Sequence, residues 1–104
     1  MVLALGLAAA ALIPGQALAD RIDGYWCRGA KQFFIEGPRI LTPGGKSLSG
    51  TYDRHGFRYV VPAGEADAGA TVSMVLMNED LVQLNTSSRP AETEEWKRCG
   101  GRIS

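Results

Sequence analysis

Hydrophobic residues recur at every second position along most of this chain, in runs too short for helices. The cleanest run is 71–77, where Val72, Met74 and Leu76 share one face. A period of two is the spacing of side chains on one face of a β-strand. Residues 22–28, 31–36 and 39–42 read as strands built on Tyr25 and Trp26, on Phe33 to Ile35, and on Ile40. Residues 48–54 alternate Leu48, Gly50 and Tyr52 against Ser49, Thr51 and Asp53, and 57–61 continues with aromatic and β-branched residues. These two segments predict either a hairpin turned at Arg54-His55-Gly56 or one long strand bulged at Gly56, and the hairpin is preferred. Residues 81–85 form a further strand, and 94–99 closes the domain.

Between the runs stand turn formers: Gly29-Ala30, Gly37-Pro38, Pro43-Gly44-Gly45 and Asn78-Glu79-Asp80. Residues 63–70 carry no apolar side chain larger than alanine and read as an exposed loop. The polar, proline-containing stretch 87–92 reads as another, and 100–104 as a frayed end. The pattern is all-β: seven or eight short strands in a small antiparallel up-and-down β-barrel or sandwich.

Composition narrows the setting. Eleven basic residues balance eleven acidic ones, and none of them lies in 1–19, so no basic excess points to nucleic acid. Residues 2–13 form an apolar run broken by Pro14-Gly15, and Ala17-Leu18-Ala19 is a small-x-small cleavage pattern. This predicts a bacterial-type signal peptide over 1–19, cleaved before Asp20, and a single mature domain over 20–104. The run is too short for a membrane span, so no anchor is expected after cleavage.

Two cysteines are present, Cys27 and Cys99, near the two ends of the mature domain. Export leads to an oxidising compartment, where the one possible pairing persists as a disulfide. It would join the first and last strands and close a loop worth about 4 kcal/mol in chain entropy. Neither cysteine has the CxxC spacing of a metal ligand.

Gly24-Tyr25-Trp26 on the first strand resembles the G-x-W signature of the lipocalins and the wider calycin superfamily. The resemblance implies that an arginine of the last strand packs over the tryptophan and closes the barrel, a role that falls to Arg98. A guanidinium over an indole is a cation–π contact of about 0.5–2 kcal/mol. In size and compartment the chain is similar to the small bacterial periplasmic barrels that inhibit secreted metalloproteases. That likeness implies a protein partner.

Candidate chemistry is sparse. His55, the single histidine, lies in Asp53-Arg54-His55-Gly56. A base or metal ligand made by Asp53 and His55, with Glu65 nearby, competes with a plain turn before glycine, and the turn is the stronger reading. Arg54 and Arg58 with Tyr52, Tyr59 and Phe57 form a cationic–aromatic neighbourhood suited to a carboxylate, sugar or peptide. Solvent-facing arginines beside a half-buried aromatic row account for the same residues. Met74 and Met77 read as core filling before soft metal ligands. Glu92, Glu94 and Glu95 read as a solvated strand edge.

No G-x-S-x-G, H-E-x-x-H or phosphate-loop motif occurs. The expectation is therefore a monomeric, periplasmic or secreted binding module without catalysis, metal or cofactor. Its partner would be a small molecule or an envelope or secreted protein. In the second case, loops 43–47 and 63–70 would make the contact, as in a protease inhibitor.

Overall fold

The computed structural model describes residues 21–100. The expected leader, 1–19, and the last four residues lie outside the described part.

Nine strand segments form one antiparallel sheet: β1 (Gly24–Arg28), β2 (Lys31–Glu36), β3 (Arg39–Leu41), β4 (Ser47–Ser49), β5 (Thr51–Asp53), β6 (Gly56–Val60), β7 (Thr71–Asn78), β8 (Leu81–Thr86) and β9 (Arg89–Arg98). Their order is β4-β3-β2-β1-β9-β8-β7-β6-β5. Every neighbour is a chain neighbour except β1 and β9, which pair directly. The two edges, β4 and β5, are separated by Gly50 alone. They are two halves of one bent strand, the first paired to β3 and the second to β6. The result is an up-and-down, nearly closed barrel, as the alternation predicted.

Gly50 makes the bend possible. Its N–H donates to the Pro38 carbonyl at 2.8 Å. A Cβ at this position would run into the Arg58 carbonyl oxygen and come within 2.6 Å of the Phe57 ring. The strand crosses from one sheet edge to the other where only a bare backbone fits.

Alternate residues of each strand fill the interior: Trp26 from β1, Phe33 and Ile35 from β2, Phe57 and Tyr59 from β6, Val72 and Met74 from β7, Val82 and Leu84 from β8, and Trp96 from β9. Met74 is buried, whereas Met77 is exposed. The hairpin at Arg54-His55 forms as preferred, with Asp53 paired to Gly56. Residues 63–70 are indeed a loop.

The stretch 87–92 differs from expectation. Only Ser87 and Ser88 turn, and β9 starts at Arg89. Pro90 is tolerated because the register shifts between Arg89 and Thr93, so no ladder bond is asked of its missing N–H. The acidic cluster is consequently not on a sheet edge, since β9 runs between β1 and β8.

Cys27 and Cys99 are bonded, with Cα atoms 5.0 Å apart and 72 residues of separation. The bond ties β1 to the residue that follows β9. Such a bond belongs to an oxidising environment.

Candidate functional site

The barrel has two unlike ends. Turns 37–38, 54–55 and 79–80, with the chain entering β1, gather at the floor. Turns 29–30, 42–46 and 87–88 and the loop 61–70 gather at the mouth.

At the floor, Ile22 is fully buried and its carbonyl accepts the Trp26 indole N–H at 2.8 Å. The Arg98 guanidinium lies 4.4 Å from the Trp26 ring centroid. It also donates to the carbonyls of Asp23 (2.7 Å), Arg21 (2.6 Å) and Glu79 (2.5 Å). Burial lowers the Arg98 pKa from its ordinary value, and Asp80, Glu79 and Asp23 oppose that shift. Gly24 has φ +118°, and a Cβ there would sit 2.8 Å from Arg98 Nη1. The Asp23 carboxylate accepts the Tyr52 hydroxyl and, at 2.9 Å, the Gly37 N–H. All of these bonds cross between elements, so the floor is a structural clamp.

The mouth holds a cavity of about 360 Å³. Its walls are Tyr59, Val61, Val72, Leu84 and Trp96, and charged side chains ring them. A volume in this range suits a small organic molecule. Strand parity explains the lining. Thr86 continues the inward face of Val82 and Leu84, and Lys31 continues that of Phe33 and Ile35.

The rim is held in place by bonds between loops. Thr42 Oγ1 donates to Glu65 at 2.6 Å, and Lys46 Nζ donates to the Ala63 carbonyl at 2.9 Å. Arg89 pairs with Asp67 at 2.8 Å and Glu92 at 3.2 Å. Ser88 donates to Asp67 at 3.0 Å. Arg89 and Ser88 hold the Asp67 carboxyl below its usual pKa. Asp67 also has a positive φ of 66°, unusual for a residue with a side chain. Glu94 accepts the Trp96 indole N–H at 3.1 Å and lies 3.8 Å from both Arg28 and Arg89.

Two hydroxyls are left over. Tyr59 and Thr86 are each only 6% exposed, and neither hydroxyl has a hydrogen-bond partner among the described residues. No described side-chain polar atom is both sealed and unpartnered, so both hydroxyls reach open space. Burial, with the nearby Glu65 charge, pushes the Tyr59 phenol up to about 12. It therefore remains a hydrogen-bond donor at any physiological pH.

The residues read from the sequence as a ligand neighbourhood do not converge. Tyr59 lines the mouth, Tyr52 is bonded into the floor, and Arg58 is exposed on the outer face of β6. Arg54 and His55 form the floor turn, where Asp53 Oδ1 accepts the His55 N–H at 2.8 Å. Glu65 stands at the opposite end of the barrel, so Asp53, His55 and Glu65 do not form a cluster. Lys31, Glu94 and Trp96 were missed as site residues. Charged residues at inward parity, two positions from a core aromatic, were the available signal.

No family model, curated protein or solved structure matches this chain. The functional reading therefore starts from the geometry.

Proposed function

We propose that this protein is an exported, non-catalytic binding module that holds a small molecule with an apolar body in the mouth cavity. The observation that carries the reading is the pair of otherwise buried hydroxyls, Tyr59 and Thr86, unpartnered among the described residues and opening into a cavity lined by both apolar and charged side chains. Both hydroxyls open to the cavity, where a ligand can take the place of water as their hydrogen-bond partner. The leader-like 1–19 and the disulfide support a periplasmic or secreted location. The Gly24, Trp26 and Arg98 clamp supports a calycin-like ancestry.

A second reading, protein inhibition through the rim, draws on the bonds that tie loop 61–70 to turn 42–46. They pre-shape the two loops that a partner would meet.

The first reading is tested with N-phenyl-1-naphthylamine, whose fluorescence rises on entering an apolar site. The expected result is saturable one-to-one binding that is lost in Ala66→Trp, which places an indole in the mouth from an exposed loop position. Equal binding by both proteins moves the site elsewhere. No binding by either removes the reading and favours a protein partner.

A further inference from the structure

Resting on that reading of the mouth, the commitments of its charged groups identify the class of ligand. All three carboxylates lining the cavity are engaged: Glu65 by Thr42, Asp67 by Ser88 and Arg89, and Glu94 by the Trp96 indole and two arginines. Two of the three lining cations are engaged as well, Arg89 with carboxylates and Lys46 with the Ala63 carbonyl. Lys31 is the exception. It is on the inward face of β2, it lines the cavity, and its side chain has no ion pair or hydrogen bond among the described residues.

The uncommitted polar groups of the cavity are thus an ammonium and two hydroxyls. All three can donate hydrogen bonds, and every lining carboxylate already accepts one from a neighbour in the rim. A ligand anion gains donors from the ammonium and both hydroxyls without breaking any of the bonds that hold the rim. The apolar part of the lining is Trp96, Leu84, Val72 and Val61.

We infer that the mouth receives an organic anion: a flat or compact apolar body against Trp96 and Leu84, with a carboxylate-like head on Lys31 and the Tyr59 hydroxyl. Charge-assisted hydrogen bonds are the stronger kind, and these two donors distinguish the anion from a neutral ligand of the same shape.

The test uses three competitors with one body and different heads: 2-naphthoate, 2-naphthylmethanol and 2-naphthylmethylammonium, each displacing bound N-phenyl-1-naphthylamine. Naphthoate is expected to displace the reporter at about tenfold lower concentration than the alcohol, with the ammonium weakest. In Lys31→Gln the advantage of naphthoate over the alcohol disappears. In Lys97→Gln, the same charge change on the outer face of β9, it persists. An alcohol or ammonium that competes as well as naphthoate overturns the inference, as does an undiminished preference in Lys31→Gln. Either result leaves the cavity reading intact, because the reporter still binds. Failure of the reporter itself to bind wild type removes both.

Discussion

Arg98→Ala attacks the floor clamp at its centre. The side chain contributes one cation–π contact, worth about 0.5–2 kcal/mol, and hydrogen bonds to three backbone carbonyls. Bonds to a charged donor are worth about 1.5–3 kcal/mol each when isolated. They do not add here, because the site is partly exposed and water replaces part of what is lost. A net destabilisation of about 3–4 kcal/mol is expected, large for a single substitution.

Arg98→Lys keeps the charge but loses the planar fork that reaches several carbonyls, and should lose about 2 kcal/mol. The assay is urea unfolding without reductant, with m unchanged so that the midpoint reports stability. Gly24→Ala belongs to the same experiment. Its Cβ would meet Arg98 Nη1 at 2.8 Å, so the double variant should be less damaged than the sum of the two singles. Arg98→Ala within about 0.5 kcal/mol of wild type, or strict additivity with Gly24→Ala, would refute the clamp.

Other consequences are equally direct. Replacing both cysteines by alanine should cost about 4 kcal/mol and lower Tm by about 15–30 °C, read by calorimetry; an unchanged Tm would mean the bond adds nothing. Gly50→Ala should open the seam between β4 and β5, seen as rapid hydrogen exchange at position 50 and at the β6 amides, since the added Cβ meets the Arg58 carbonyl. At alkaline pH the sign is fixed by Tyr59. Its folded pKa of about 12 exceeds the unfolded value near 10, so its contribution is complete below pH 10 and is lost as pH rises towards 12. The unfolding free energy should fall over that window by up to about 1.4 kcal/mol per pH unit, and Tyr59→Phe should flatten the fall.

Most of the barrel could be read from alternation because each strand buries one face and wets the other. That contrast gave the strand set, the hairpin at Arg54-His55 and the inward place of Met74. The disulfide followed from there being two cysteines and one way to pair them. What escaped depends on contacts between distant residues. The bend at Gly50 looks locally like one continuous strand, and only the approach of the Arg58 carbonyl explains it. Pro90 read as a breaker because the bulge that accommodates it is a property of the β8–β9 register.

The site was harder for the same reason. Tyr59 was singled out, but beside Arg58, which adjacency in sequence places on the opposite face of β6. Lys31 and Glu94 gave no motif, because their meaning comes from the barrel bringing two inward-facing rows to one mouth.

The two tryptophans provide the most direct test of the central claim, that the mouth binds a small molecule while the floor is structural. Trp96 lines the mouth cavity and Trp26 sits under Arg98 at the floor, so a ¹H–¹⁵N spectrum carries one indole signal from each end. The measurement is a titration with whichever naphthalene competitor binds tightest. The account predicts that the Trp96 indole signal shifts and saturates while that of Trp26 stays in place. A shift confined to Trp26, or two signals that never move, would contradict it.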